Sequence, residues 1–407
     1  MAMAATDVDV KDLRWEEWRD DPAPLYRWLR DEQPVFYDVG NDDFVVSRYA
    51  DVELVLKDPG LFSSTPLRML ERNRISPLRQ EDPPRHGFLR KIVMPLFTPA
   101  EMRSLQGYFV ELAVSLLDEA EETEVIEVSS QLAVPLPGRV TCDILGVPLE
   151  EHRRFLELTA ERLEHLHVVD GQIRESSERR SLEEVQDDLW GIVGAVVEAR
   201  RREPAHDAIT LLVQAQDRHG RDQIDDRLIV DMLLHFLTGG FHTTQYLVEL
   251  LTHQVLEQPG MWGRLRADRR LVPAAIEETL RFEPPVQTQR RRAVRQTEMH
   301  GVEIPANASV VVHLGAANRD DRAFEDPDVF SLERRNRRHL AFSAGIHYCP
   351  GAPVSRFEVR ALFEEMLDRY ESIERAGDSE RWPQESRTAD WMAGYRKVPV
   401  RIRRAAT

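Results

Sequence analysis

Two cysteines occur in this 407-residue chain, and they sit in different company. Cys349 belongs to Phe342-Ser343-Ala344-Gly345-Ile346-His347-Tyr348-Cys349-Pro350-Gly351, a turn bounded by Gly345 and Gly351. The stretch after it, 352–370, is rich in helix formers with apolar residues at helical spacing. Cys349 therefore stands just ahead of a helix N-terminus, where the macrodipole favours a thiolate, the form that ligates metals. The glycines let backbone approach something large and flat without a Cβ in the way. Cys142 lies in the apolar stretch 131–146 beside Val140, Ile144 and Leu145, and reads as a small buried hydrophobe.

Four more groups have the types and spacing for chemistry. His86 and Arg90 are four apart and share one helix face. Gly239-Gly240-Phe241-His242-Thr243-Thr244 interrupts an apolar helical pattern. Glycines there cost stability unless something approaches closely. Glu278 and Arg281 are three apart on a short helical pattern, and Arg290, Arg291 and Arg292 open a strand-like segment. The first three have plain structural alternatives. These are a solvated face, a threonine bonded back to the i−4 carbonyl, and a surface ion pair of about 0.2–0.5 kcal/mol.

The elements that must position these groups are partly legible. The longest helical pattern, 226–258, would span about 50 Å at roughly 1.5 Å per residue. It is apolar nearly all round at 232–237, so it is central, with the glycine pair read as a kink. A short helix at 272–282 has Pro273 near its first turn and stops at Pro284-Pro285. Pro83-Pro84 starts the helix of His86. Helix 25–33, strands 35–37 and 44–46 around Gly40-Asn41, and helix 49–57 precede it. Segment 62–80 reads as a long loop, and 153–201 as two amphipathic helices broken near Asp170-Gly171.

Composition bounds the class. With 42% hydrophobic and 31% charged residues the chain can bury a sizeable core. No Gly/Ser- or Pro-rich linker divides it, so one domain over 1–407 is expected. Lys+Arg 54 against Asp+Glu 71 gives −17, which argues against nucleic acid and anionic membranes as partners. Two cysteines make no disulfide framework and suit a reducing cytoplasm. Residues 1–15 hold no long apolar run, so neither signal peptide nor membrane anchor is expected.

The pattern Phe-x-x-Gly-x-His-x-Cys-x-Gly at 342–351 resembles the haem-binding loop of the cytochrome P450 family. The resemblance extends in order to His86/Arg90, to Gly239-Gly240 through Thr243, and to Glu278/Arg281. It implies a mainly α fold with small β-sheets and haem b buried between the central helix and the cysteine loop. Cys349 is then the axial thiolate ligand. His86, Arg90, Arg291 and His347 become propionate contacts, with the arginine open by one residue among Arg290, Arg291 and Arg292. Gly239 and Gly240 open the dioxygen groove, and Thr243 supplies the hydroxyl beside it. Glu278 and Arg281 lock structurally to Arg334. Val286, Thr288, Phe241 and Met392 are expected to line the substrate pocket, and 62–80 and the 153–201 helix pair to cover it. Ser343 stands where a glycine is usual, and Pro350 removes an N–H near the sulfur.

The implied activity inserts one atom of dioxygen into a small, hydrophobic, lipid-, terpenoid- or natural-product-like substrate. Electrons come from NAD(P)H through ferredoxin and ferredoxin reductase, and a monomer in the cytoplasm is expected. In Arg334-Arg335-Asn336-Arg337-Arg338-His339, Arg334 is expected to be internal, and the others form either a basic patch for an acidic ferredoxin or a solvated charge run. His242, where bacterial relatives carry an acid, is either a proton relay or a bystander to a water chain. The alternatives are C–C coupling, decarboxylation or peroxygenation at the same cofactor, or a non-catalytic haem or ligand-binding protein.

Overall fold

The computed structural model describes residues 18, 20–67, 77–121, 124–167, 180–381 and 392–405. The architecture is mainly helical with small sheets, as expected. Its axis is the helix Asp226–Glu257, started by Asp225, whose side chain accepts the Leu228 N–H at 2.7 Å. Met232, Leu233, Leu234, Phe236 and Leu237 are all buried, which matches a helix enclosed on every side.

The glycine pair does not interrupt this helix, contrary to expectation. Gly240 answers a close helix–helix approach instead. A Cβ there would come within 2.8 Å of Thr141 Oγ1, on the crossing helix Pro135–Leu145. Gly239 meets nothing within 4 Å, so its side of the helix is open.

The helix that follows the cysteine, Ala352–Arg369, packs against the central helix and against Gln106–Ala120. Thr244 of the central helix donates to Ser355 Oγ at 3.1 Å and also bonds Glu358, whose carboxyl is held well above its ordinary range by burial. These contacts fix the distance between the two helices that flank the site.

A five-stranded sheet carries the arginine segment. Its spatial order is Val35–Asp38, Asp43–Val46, Ser309–His313, Thr288–Ala293, Phe62–Ser63. The first two form the expected hairpin, and Asp43–Val46 runs parallel to Ser309–His313. Phe62–Ser63, read from sequence as loop, pairs with Ala293 and Arg292. The rest of that loop at 68–76 lies outside the described residues, as does the break at Asp170-Gly171 between helices His152–His167 and Leu182–Arg202. Among the described residues no helix is long and apolar enough to cross a membrane.

Candidate active site at the cysteine loop

The loop is closed by main-chain bonds: Cys349 N–H to Phe342 O at 2.9 Å and Ser343 N–H to Leu340 O at 2.8 Å. Gly345 has φ +69° and lies against the end of the helix Tyr49–Lys57, where a Cβ would meet Leu56 O at 2.7 Å. Only glycine satisfies both demands. Cys349 is half-buried. Burial pushes its thiol pKa up. The N–H groups of Gly351 and Ala352, then the guanidinium groups of Arg90 and Arg356, pull it back down. On the outer side Arg356 caps the Phe342 ring at 4.5 Å and pairs with Glu277 at 2.6 and 2.8 Å.

Ser343 occupies the left-handed region at φ +64° and is buried. Its hydroxyl donates to Gln289 Oε1 at 2.9 Å. A non-glycine residue there stores about 1–3 kcal/mol of strain, partly offset by that bond. Ser343→Gly relieves the strain while losing the bond; Ser343→Ala loses the bond and keeps the strain. We expect the alanine variant to be less stable than the glycine variant by about 1 kcal/mol or more in urea unfolding. Equal midpoints would show that the backbone relaxes freely.

Four basic side chains converge beside the loop. His86 and Arg90 come from the helix Arg85–Val93, Arg291 from the sheet, and His347 from the loop itself. The His86 and His347 rings are 4.3 Å apart, and the Nε2 atom of each is buried without a hydrogen-bond partner among the described residues. Arg90 donates to Tyr348 O at 2.6 Å. Burial first, then Arg291, His86 and Arg90, lowers the His347 pKa to about 3. Burial also lowers His86, and brings Arg291 down to about 10. The carboxylate that acts on His86 and Arg291 is Asp82, itself held by Ser63 Oγ and Ser64 N–H. Two orphaned imidazole nitrogens among buried guanidinium groups make a site for anionic oxygens.

The three adjacent arginines part company. Arg290 pairs with Asp43 at 2.5 and 2.7 Å, while Arg292 bonds Thr65 O and Asn307. Strand alternation puts Arg291 on the other face, near His347.

On the central helix, Thr243 Oγ1 donates to Gly239 O at 2.6 Å. The hydroxyl hydrogen is thus committed, and the oxygen presents lone pairs on the side that Gly239 leaves open. His242 is half-buried, its ring 4.4 Å from Phe241 and stacked on Tyr246 at 6.2 Å. The Glu278–Arg281 pair is fully buried at 2 and 1% exposure, with bidentate contacts of 2.8 and 2.9 Å. Arg334 joins Glu278 at 3.0 Å and also donates to Asp326 O and Val329 O.

The comparisons with known proteins agree with this arrangement. The family model described as Cytochrome P450 matches residues 31–390. The chain is a cytochrome P450. It is 31% identical to Cytochrome P450 109 of Bacillus spizizenii, over 97% of this chain and 95% of that one. It is 34% identical to Nocardicin C N-oxygenase of Nocardia uniformis, over 89% and 92% of the two chains. Among solved structures it superposes on CYP109E1 from Bacillus megaterium in complex with corticosterone with a TM-score of 0.81 at 31% identity, covering 95% and 99%. On CalO2 the TM-score is 0.86 at 27% identity, covering 95% and 97%. Relatives named as hydroxylases, oxygenases and epoxidases make this P450 a monooxygenase.

Members of the family hold haem through a cysteine thiolate. The residues of this P450 fit such a group: a half-buried thiol, an open helix face at Gly239, and the two unpartnered imidazole nitrogens for carboxylates. Two expected pocket residues are placed elsewhere. Phe241 is buried against Gly138 on the opposite side of the helix from Gly239, because two residues rotate an α-helix by about 200°. Thr288 alternates with Arg290 and Arg292, on the sheet face away from Arg291. Val286 is half-buried and forms an antiparallel bridge to Met392. Met392 lines a small cavity with Tyr26, Phe282, Gln287 and Arg319. Gln289, in the 286–289 segment expected at the pocket, shares Arg291's parity on the strand and accepts from Ser343.

Proposed function

We propose that this P450 binds haem b with the Cys349 thiolate as axial ligand, and that His86, Arg90, Arg291 and His347 receive the propionates. The observation that carries this reading is the convergence of those four side chains beside the cysteine loop, with two buried imidazole nitrogens unpartnered. When bound, the haem supplies dioxygen activation and transfer of one oxygen atom to the substrate. The protein's own part is to hold the thiolate in a fixed loop, orient substrate and move protons. The substrate class is hydrophobic and natural-product- or steroid-like, in line with relatives named for erythromycin, mycinamicin and steroid oxidation. The enzyme works as a monomer in the cytoplasm; the two unpaired cysteines suit that reducing compartment. Titrating a panel of steroids and macrolides and scoring the spin-state shift tests the substrate class; no shift with any of them would overturn it.

Protons reach the dioxygen groove through His242, and Thr243 accepts a hydrogen bond there. His242→Ala is expected to slow turnover at least roughly tenfold at similar substrate affinity, below the usual 10²–10⁴ contribution of a general acid–base group. Thr243→Ala should instead consume NAD(P)H and release hydrogen peroxide. Turnover, coupling and solvent isotope effect distinguish the two. If His242→Ala matches the parent in all three, water alone supplies the protons.

Electrons come from NAD(P)H through a reductase and an acidic ferredoxin that docks over a depression of about 340 Å³ behind the loop, where Lys57 is paired with Glu53 and Arg356 with Glu277, and Arg337 and Arg338 add further positive charge. Arg337 is exposed, yet its guanidinium donates to Arg334 O at 3.0 Å and Leu332 O at 2.8 Å, so it also braces the chain. Reversing Arg335 and Arg338 is therefore the cleaner test. Reduction by ferredoxin should slow several-fold at low salt, with the difference fading above about 0.15 M, where charges are screened within about 8 Å. Unchanged reduction at low salt would place the partner elsewhere.

A further inference from the structure

A second polar chain runs along the central helix beside Thr243. His242 Nδ1 lies 3.2 Å from Gln245 Oε1. Gln245 Nε2 donates to Glu249 Oε1 at 2.9 Å, and Ser129 Oγ donates to the same oxygen at 2.5 Å. The other oxygen of Glu249 accepts the Tyr395 N–H at 2.8 Å. Gln245 and Glu249 are 2 and 0% exposed, within the apolar run Leu247-Val248-Glu249-Leu250-Leu251. A carboxylate so deep is tolerated only when its oxygens are hydrogen-bonded, as they are here.

The chemistry of the donors fixes the order of the chain. A backbone N–H can only donate, so Glu249 accepts at Tyr395. Glu249 accepts from Ser129 Oγ, Gln245 Nε2 and the Tyr395 N–H, which favours its ionised form; a carboxylate offers no hydrogen, so Gln245 turns its NH₂ group toward it. That turns Oε1 toward His242, and Nδ1 must then carry the hydrogen. In the neutral ring Nε2 is left as the lone-pair nitrogen.

Glu249 also holds the C-terminal turn. Gly394 lies so close to the helix that a Cβ would collide with the Tyr246 ring and come within 3.0 Å of Glu249 Oε2. Ala393 N–H donates to Pro285 O at 2.9 Å, and Met392 bridges to Val286. The turn is thus clamped between the arginine strand's approach and Glu249.

We infer that Gln245 and Glu249 are positioning residues: through Gln245, Glu249 fixes His242 as the Nδ1–H tautomer, and with its second oxygen it docks the turn that carries Met392. The functional consequence rests on His242 being the proton relay proposed above. With Nδ1–H locked to Gln245, a proton is taken up at Nε2 and given up at Nε2. His242 then works as a proton store and not as a conduit through the ring.

The test uses holoprotein labelled with ¹⁵N-histidine in its diamagnetic ferrous carbon monoxide form. His242 signals are identified by their loss in His242→Gln, and long-range ¹H–¹⁵N spectra report the tautomer. The unaltered protein should show one tautomer, protonated at Nδ1. Gln245→Met, similar in volume and helix propensity, should lose that single state while the carbon monoxide band stays unchanged. Glu249→Leu should speed hydrogen exchange at the Tyr395 amide by on the order of tenfold or more, and Gln245→Met should not. A neutral ring protonated at Nε2 in place of Nδ1 in the unaltered protein overturns the inference without any variant. So does an unchanged tautomer in Gln245→Met, or unchanged Tyr395 exchange in Glu249→Leu. Turnover is read separately: a lost tautomer with full turnover supports the positioning role and refutes the relay.

Discussion

Cys349→Ala is expected to abolish turnover and the spectral signature of a thiolate-ligated haem while leaving most of the fold in place. The loop around it is closed by main-chain bonds, Cys349 N–H to Phe342 O among them, and alanine keeps these. The Cβ is retained and only the sulfur is lost. Cys142 gives the opposing control. It is fully buried on the helix Pro135–Leu145, and burial pushes its pKa up to about 12, so it is an inert thiol. Cys142→Ala should cost about 1 kcal/mol of stability and leave the spectrum alone. Turnover, absorption spectra and thermal unfolding of both variants check the pair. Activity kept by Cys349→Ala and lost by Cys142→Ala would mean that the wrong cysteine has been assigned.

Glu278→Ala should have the largest effect on stability. Glu278 is the shared carboxylate of Arg281 and Arg334, and it also accepts the Ser331 N–H at 2.9 Å. Its removal leaves two buried guanidinium groups without their counter-charge. Breaking a buried pair costs about 3–5 kcal/mol, a large part of the roughly 5–15 kcal/mol by which a protein of this kind is stable. Glu278→Gln keeps the shape and loses the charge, and is expected to fall only slightly short of that cost. Arg334 anchors the segment that leads into the cysteine loop, so haem content on purification should fall as well. Denaturant unfolding measures the first effect and haem-to-protein ratio the second. A loss below about 1 kcal/mol would mean that the triad behaves like a surface pair.

Local signals carried much of the fold. The Pro273 and Pro284-Pro285 boundaries match the helix Val272–Phe282, and the Gly40-Asn41 turn matches the hairpin of Val35–Asp38 with Asp43–Val46. The cysteine loop was legible because many of its residue types are set by one short turn. What failed was phase. Phe241 was expected at the pocket because it lies between Gly240 and His242, but helical rotation turns it away from the open face. Thr288 failed through strand alternation in the same way. Gly239-Gly240 reads from sequence as a kink, since the partner that requires Gly240 is Thr141 on a distant segment. Long-range pairing was equally hidden: nothing near Ser343 announces Gln289. Glu249 was visible only as an anomaly, one carboxylate in an apolar run whose partners Ser129 and Tyr395 come from far along the chain.

The central claim is that Cys349 presents a thiolate to haem iron. The most direct measurement is the carbon monoxide difference spectrum of the reduced, unaltered protein, repeated with Cys349→Ala. The account predicts the strongly red-shifted band of a thiolate-ligated ferrous haem in the first and its loss in the second. A band at the position of ordinary imidazole-ligated haem in the unaltered protein, or the red-shifted band surviving in Cys349→Ala, would contradict it.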